Sequence, residues 1–393
     1  MNRTIGLTLL LAAGLAAAPA AAQTQGVAPG QITLGTIQDL SGPLAAYGKQ
    51  ARNGLQMYVD ELNGRGGIHG RQLRLIVEDS AYDPRKALLA AQKLVNSDRI
   101  FAMLGHVGTA QNMAALPVLL ERNVPNFMPL SLAREMYLPP VPLKLSLFAS
   151  YYDQVRTVVP EIIRERSLKR ICIVYQDDEF GLEVMRGGEA ALAAVGQAYV
   201  ERTTYKRGAT EFSSQVARLK AANCDLVLMG TVIRETVGVL TEARKIGFEA
   251  VFVGTNASYT HLIPQLGGPA AEGFYSMMTT AHPYPDDTRP EIRDWAARYT
   301  ARFGEPPTVF SAYGWQIADG FAQAALMAGR DLTVASFIQA AETNPPVQTL
   351  FEARPCAFTP QNRLCNNEVR LSQVRNGRWV VTRDWVQGAT PTH

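Results

Sequence analysis

From Ile32 to Val253 the sequence alternates between short apolar runs and amphipathic segments, in two successive sets. The apolar runs have the length of buried strands, and the segments between them carry apolar residues at three- and four-residue spacing, which predicts helices. Strands that alternate with helices form parallel sheets covered by helices on both faces. The sequence therefore predicts an α/β fold with two doubly wound, Rossmann-like lobes.

The predicted elements follow one another without long gaps. Strands are expected at 32–40, 73–79, 100–104, 124–130, 171–175, 198–204, 225–229 and 250–253. Helices are expected at 47–63, 84–96, 109–122, 151–166, 180–195, 211–222 and 234–246. We expect Thr109 to cap the helix that it begins.

The last third of the chain breaks this alternation. After a strand at 274–279, three helices are predicted in succession, at 289–302, 309–328 and 334–342. Asn376-Gly377 then separates two apolar runs, which predicts a β-hairpin. Because helices without intervening strands need a sheet to cover, the simplest arrangement returns the chain to the first lobe and then to the second.

The first 22 residues are predicted to be a secretory signal peptide. Arg3 supplies a positive start, an uncharged apolar run extends from Ile5 to Ala18, and small residues precede Gln23. The run is shorter than the roughly 20 residues that a membrane-spanning helix needs. A buried or amphipathic first helix is the alternative. The mature chain is therefore expected in the periplasm.

Composition and cysteine content narrow the class of protein. With 393 residues, 47% hydrophobic residues and a net charge of +3, the chain is neither disordered nor a dedicated nucleic-acid binder. Export permits disulfides. Cys356 and Cys365 flank a short turn-rich segment and are predicted to pair, whereas Cys172 and Cys224 each begin an apolar run and are interpreted as buried free thiols. No Cys/His spacing fits a zinc site, so no metal is expected. The glycines at 64–70 lack the spacing of a dinucleotide motif and precede a strand, so no other cofactor is expected either.

Catalytic motifs are missing from the sequence. It contains no G-x-S-x-G, no G-x-x-x-x-G-K-[ST] and no H-E-x-x-H. Of the five histidines, only His106 lies at a predicted strand end. An exported enzyme would have to use it, so we interpret the chain as a binding protein and not an enzyme.

Loops at the carboxyl ends of strands are where open α/β sheets bind ligands. In the first set these loops are 38–47, 79–82, 105–109 and 130–133, and in the second 176–181, 231–234 and 254–259. The segment from Gly105 to Thr109 runs directly into a helix. Free backbone N–H groups there, with the Thr109 hydroxyl, favour an anionic group such as a carboxylate. That Thr109 serves only as a helix cap is an equally weighted alternative.

Several motifs occur in an order that is characteristic of one family. They are Leu40-Ser41-Gly42-Pro43, Gly66-Gly67-Ile68-His69-Gly70, Glu78-Asp79-Ser80, Asp83-Pro84, Gly105-His106, Phe180-Gly181 and Ala271-Glu272-Gly273. Over essentially the whole mature chain, the sequence resembles the periplasmic substrate-binding proteins of branched-chain amino-acid (leucine/isoleucine/valine-binding-like) ABC transporters.

This resemblance implies a type I periplasmic-binding fold with a three-segment hinge. The crossovers would fall near 146–150, 276–280 and 345–351, so that residues 27–147 plus 279–348 form lobe 1 and residues 148–278 plus 349–393 form lobe 2. A small ligand with a carboxylate or amide would be held in the cleft, and the closed protein, expected to be a monomer, would dock on an inner-membrane ABC permease. A periplasmic sensor of the same fold that feeds a receptor or regulator is the alternative.

The resemblance also implies which residues bind the ligand. The carboxylate-binding Ser/Thr corresponds to Thr109, the covering aromatic residue to Tyr47 and the second-lobe aromatic residue to Phe180. The full set of predicted ligand-binding positions is Tyr47, His106, Gly108, Thr109, Ser131, Ala133, Phe180, Val232, Asn256 and Phe310.

Two of these positions depart from the pattern of amino-acid binders. The sequence has Ala133 where those proteins have a threonine, and Asn256 where they have an acid that holds the α-ammonium. A buried ammonium without an acidic partner costs several kcal/mol. We therefore predict a small carboxylate or amide with an aromatic or aliphatic body. Asp79 or Asp178 could replace the missing acid, which leaves amino acids open.

Overall fold

The structure is a computed structural model that describes residues 24–343, 350–351 and 357–388. The predicted signal peptide, Cys356 and most of the predicted third crossover lie outside the described residues, so the Cys356–Cys365 pair stays a prediction. Among the described helices, none combines the length and apolarity needed to cross a membrane.

The first of two sheets is built from the N-terminal part of the chain. Its strands are β1 Val27–Ala28, β2 Gln31–Gln38, β3 Gln72–Asp79, β4 Ala102–Leu104, β5 Asn126–Phe127 and β6 Lys144–Leu145. The order is β3-β2-β4-β5-β6, all parallel, and β1 pairs antiparallel with the start of β2. The strand predicted at 124–130 is shorter than expected, because only β5 within it pairs continuously, while Leu130 pairs with Val107 through an isolated bridge.

The second sheet contains the remaining strands. They are β7 Ile171–Gln176, β8 Glu201–Tyr205, β9 Leu226–Gly230, β10 Val251–Gly254, β11 Tyr275–Met278, β12 Glu368–Arg375 and β13 Arg378–Gln387. The order is β13-β12-β11-β10-β9-β7-β8, parallel from β11 to β8. The predicted hairpin is confirmed: β12 and β13 are antiparallel, and Asn376 and Gly377 turn the chain with positive φ angles.

Helices cover both sheets. They are α1 Ala45–Gly64, α2 Pro84–Gln92, α3 Thr109–Glu121, α4 Tyr151–Arg166, α5 Glu179–Ala193, α6 Ser213–Ala221, α7 Arg234–Lys245, α8 Leu262–Gly267, α9 Pro290–Phe303, α10 Val309–Met327 and α11 Val334–Thr343. Helices α9 and α10 return to the first lobe, where Trp295 and Ala312 pack with Met57 of α1. The fold is thus two doubly wound α/β lobes, as the alternation predicts.

The chain passes between the two lobes three times: after β6, after β11 and between α11 and β12. Ser146 of the first passage pairs with Leu364 of the third through an isolated parallel bridge. Arg363 beside it is fully buried, bonding Glu342 at 2.6 Å and the Pro142 carbonyl at 2.6 Å. Its guanidinium group therefore ties the third passage to the end of α11 and to the chain just before β6. The residue boundaries of the two lobes remain a prediction.

Two cysteines are paired where free thiols were expected. Cys172 and Cys224 form a disulfide, with their Cα atoms 5.8 Å apart, so the free-thiol interpretation is wrong. The physical reason is strand order: β9 lies directly beside β7, with Ile171 paired to Leu226, while β8 is at the edge. A sequence does not show that two strands separated by a third will be neighbours.

One glycine on each lobe lets a helix begin close to the end of the preceding strand. A Cβ atom on Gly48 would lie 2.1 Å from the Asp39 carbonyl oxygen, and one on Gly181 would lie 1.9 Å from the Gln176 carbonyl oxygen. Such distances exclude any side chain at either position. The strand-end loops of both lobes are therefore tight, and they bring the starts of α1 and α5 to the space between the lobes.

Candidate functional site

A small cavity lies between the lobes at the carboxyl ends of the strands. Each of the seven predicted strand-end loops contributes to it, and Tyr151 at the start of α4 completes it. The lining residues are Leu44, Tyr47, Tyr82, Val107, Gly108, Thr109, Leu130, Tyr151, Phe180, Val232 and Ala257. None of these side chains is an acid, a lysine, an arginine or a histidine. The cavity thus offers hydroxyl groups, backbone groups and apolar surface.

Thr109 supplies the most polar part of this lining. Its hydroxyl hydrogen-bonds the Ser131 hydroxyl at 2.9 Å, and both side chains are buried. The predicted helix cap is wrong: α3 has Gly108 as its N-cap residue, and no side chain caps it. Because the first N–H groups of a helix lack partners within it, the start of α3 presents uncapped donors beside Thr109. These donors and the helix dipole favour a carboxylate.

The tyrosines of the lining keep their hydroxyl protons. Burial raises the pKa of Tyr47 well above its usual value, and burial also raises that of Tyr151 although hydrogen bonds with the Leu132 backbone and Thr109 oppose it. A neutral phenol can donate a hydrogen bond to an anion without bringing in a charge of its own. Tyr151 is therefore a second hydroxyl donor next to Thr109.

Aromatic rings form much of the apolar surface. Tyr47 stacks on Phe310 with ring centroids 3.6 Å apart, and Tyr151 meets Phe180 edge to face at 4.9 Å. Phe310 is not among the lining residues, so it supports the ring of Tyr47 instead of walling the cavity. Rings on facing lobes give the cavity flat, apolar walls.

The two positions that the resemblance links to an α-ammonium, Ala133 and Asn256, offer no acid. Ala133 is buried and has no hydroxyl group. Asn256 is held by Gln154: its Oδ1 accepts from Gln154 Nε2 at 3.0 Å, and its backbone N–H donates to Gln154 Oε1 at 3.0 Å. The Asn256 side-chain oxygen is therefore bonded to a neighbour of the same lobe, and its side chain also hydrogen-bonds Tyr313 of α10.

The two acids that could replace the missing partner are also committed. Asp178 caps α5 through the N–H groups of Phe180 and Gly181, and it pairs with Arg207 at 2.7 Å. Asp79 accepts from the Leu40 and Ala81 N–H groups and from the Ser41 hydroxyl.

These bonds also affect the charge of Asp79. Although burial raises the pKa of Asp79, the hydrogen bonds outweigh burial and hold it below its usual value. Neither carboxylate lines the cavity.

His106 is fully buried and is not a lining residue. Burial lowers its pKa to about 3, so the ring is neutral near pH 7. Neither ring nitrogen has a hydrogen-bond partner among the described residues. Its carbonyl accepts from Asn112 Nδ2 at 2.7 Å, which joins the loop after β4 to α3.

The structure thus brings five of the ten predicted positions to the cavity: Tyr47, Gly108, Thr109, Phe180 and Val232. Ser131, Phe310 and Asn256 each lie beside a lining residue, while Ala133 and His106 are buried outside the lining. Sequence reasoning identified the loops but missed Tyr82 and Tyr151 as individual residues. Tyr151 could have been found, since it is the first helical residue after the predicted crossover at 146–150.

Comparison with known proteins agrees with this architecture. The family described as periplasmic binding protein matches residues 31–378. The Leu/Ile/Val-binding protein of Escherichia coli K12 is 29% identical over 242 residues, which is 62% of this chain and 66% of that relative, slightly under two thirds of its length.

Solved structures show the same fold at lower identity. A fatty acid ABC transporter substrate-binding protein from Thermomonospora curvata has a TM-score of 0.84 and 22% identity, covering 93% of this chain and 95% of that one. A solute-binding protein of an ABC transporter from R. palustris, in complex with benzoate, has a TM-score of 0.80 and 18% identity, covering 92% and 98%. With the family match spanning most of its length, the chain belongs to the periplasmic binding protein family.

Proposed function

We propose that this protein is the exported substrate-binding component of an ABC uptake transporter and captures a small carboxylate that lacks an α-ammonium group. The lobes would close on the ligand, and the monomeric closed form would deliver it to an inner-membrane permease. No covalent chemistry on the ligand is required of the protein in this function.

The observation that carries the proposal is the pairing of carboxylate donors with an uncharged lining. Thr109 and the start of α3 lie together at one wall, as a carboxylate requires, and Ser131 hydrogen-bonds Thr109 from behind the lining. An α-ammonium would in contrast need an acceptor of opposite charge. The residues at the family's ammonium positions, Ala133 and Asn256, do not supply one.

The names of the relatives agree with a ligand that consists of a carboxylate and an apolar body. Those described above bind branched-chain amino acids, a fatty acid or benzoate according to their names, and each of these ligands has a carboxylate and an apolar body. What differs among them is the α-ammonium. The rings of Tyr47, Tyr151 and Phe180 suit an aromatic or branched aliphatic body.

Isothermal titration with matched ligand pairs tests the proposal. The pairs are 4-methylpentanoate with leucine, and 3-phenylpropanoate with phenylalanine, whose members differ only in the α-ammonium. The amine-free member of at least one pair should bind about 100-fold more tightly than its amino acid, because an unpaired buried ammonium costs several kcal/mol. Protein that has been unfolded and refolded should be used, so that co-purified ligand is removed.

Equal affinities within both pairs, or an amino acid that binds more tightly than its amine-free partner, would contradict the proposal. The variant to examine in that case is Glu235→Gln. Glu235 is a buried carboxyl group at the start of α7, and its Oε2 has no hydrogen-bond partner among the described residues. Loss of leucine binding in this variant would identify it as the ammonium partner.

A further inference from the structure

An ion pair joins the lobes directly beside the cavity. Arg134, in a short 3-10 turn at Arg134–Met136 after β5, reaches Glu183 of α5. The two side chains bond in parallel, Nη2 to Oε1 at 2.9 Å and Nε to Oε2 at 3.1 Å. The guanidinium also lies 3.7 Å from the ring centroid of Tyr152. This is the bidentate geometry in which arginine and carboxylate interact most strongly.

We propose that Arg134 and Glu183 form a clasp that holds the cleft closed and gives the ligand-free protein a populated closed form. The proposal rests on the proposed function only in requiring lobes that open and close. It does not depend on which ligand the cleft takes.

Opening must separate the clasp because its residues adjoin the walls of the cavity. Glu183 lies three residues after Phe180, on the same face of α5, so a motion that draws Phe180 away from the first lobe moves Glu183 with it. Arg134 follows the loop 130–133, and its carbonyl accepts from the Leu138 N–H within its own turn. A hinge motion therefore moves Arg134 with the first lobe and Glu183 with the second, so that the two side chains separate when the cleft opens.

The two side chains of the clasp differ in how deeply they are buried. The Glu183 side chain is 1% exposed, whereas that of Arg134 is 29% exposed. Glu183 has a weaker contact with Arg186, at 4.0 Å. Glu135 lies nearby, and burial and then the charge of Glu183 raise its pKa. Without the Arg134 side chain, the buried Glu183 carboxylate keeps only the backbone N–H of residue 134 at 3.4 Å and the distant Arg186, with Glu135 nearby. Without Glu183, the Arg134 cation retains solvent and the Tyr152 ring.

Single-molecule FRET on ligand-free, refolded protein tests the clasp. Dyes on Leu89→Cys in α2 and Leu266→Cys in α8 report on one lobe each, because these side chains are 64% and 62% exposed. Arg134→Gln should lower the closed-to-open ratio by about tenfold or more, as expected for a lost charge-assisted hydrogen-bonded pair. Glu183→Gln should lower it less, and the double variant should lie between the two.

A matched control is available on the same helix. Arg202 pairs with Glu189 of α5 at 2.6 Å, within the second lobe. Arg202→Gln removes an arginine from an ion pair of α5 without touching the contact between lobes, so the closed-to-open ratio should stay at the wild-type value. Thermal unfolding of each variant checks that the fold is retained, and the charge-swapped Arg134→Glu/Glu183→Arg protein should recover part of the closed population.

Three results would overturn the clasp. The first is a folded Arg134→Gln protein whose closed-to-open ratio stays within twofold of the wild type. The second is an equal change in Arg202→Gln. The third is a wild-type protein with no measurable closed population. None of these depends on the ligand titrations, so a wrong ligand class and a wrong clasp are distinguishable.

Discussion

The two lobes are built on the same alternation of strands and helices, yet they meet the cavity with different chemistry. The first lobe contributes the uncapped start of α3 and the Thr109–Ser131 hydroxyl pair. The second lobe contributes Phe180, Val232 and Ala257, and its one hydroxyl in the lining, Tyr151, begins α4 next to the hinge. Both lobes thus offer apolar surface and a hydroxyl group, but only in the first lobe does a lining hydroxyl, that of Thr109, lie at the uncapped start of a helix, which suits this lobe to hold a charged end.

The lobes also differ in how they are held together. The Cys172–Cys224 disulfide joins the starts of β7 and β9 in the second sheet, whereas the described strands of the first sheet contain no cysteine. Strand starts are at the opposite end of a parallel sheet from the ligand-binding edge. The disulfide can thus stiffen the second lobe without contacting the cavity. The comparison suggests a lobe that anchors the ligand and a cross-linked lobe that closes over it.

The largest expected effect is on the stability of the second lobe. The disulfide closes a loop of 52 residues, so Cys172→Ala/Cys224→Ala should lower the free energy of unfolding by about 4 kcal/mol. Native-state hydrogen exchange should show faster exchange in β7 and β9 with β2 unchanged. Equal loss of protection in both lobes would show that the cross-link does not distinguish them.

The disulfide of the second lobe separates what the sequence could predict from what it could not. Apolar periodicity reports local structure, and the helix predicted at 151–166 has the bounds of α4. Strand ends follow from the same periodicity, which is why all seven predicted loops reach the cavity. Strand order is a tertiary property, and for that reason the Cys172–Cys224 disulfide was not foreseen.

The chemistry of the site was predictable only in part for a related reason. The residue types that bind a carboxylate can be read from Gly108-Thr109, but the partner of a hydroxyl cannot. Thr109 could cap its own helix or bond to another loop, and only the structure shows it bonded to Ser131. Likewise, Asp79 and Asp178 were open as ammonium partners until their hydrogen bonds were known.

The next effect tests the anchoring role of the first lobe. Thr109→Val removes one hydroxyl and preserves shape, so binding of 4-methylpentanoate should weaken about 10- to 100-fold through loss of a hydrogen bond to a charged group. Thr231→Val is the matched change on the second lobe, where a buried threonine bonds Thr236 at 2.6 Å beside Val232. It should change affinity less than threefold. Comparable losses in the two variants, measured by titration, would remove the distinction between the walls.

The smallest effect concerns the covering wall. Phe180→Leu keeps an apolar side chain but loses the edge-to-face contact with Tyr151, so affinity should fall by about 1 kcal/mol. Because Phe180 would contact the ligand's body and not its carboxylate, the loss should be larger for 3-phenylpropanoate than for 4-methylpentanoate. It should also be unaffected by added salt, since no charge is removed. A loss of equal size for both ligands would mean that Phe180 acts on the carboxylate end through Tyr151, and the second lobe would then share in anchoring.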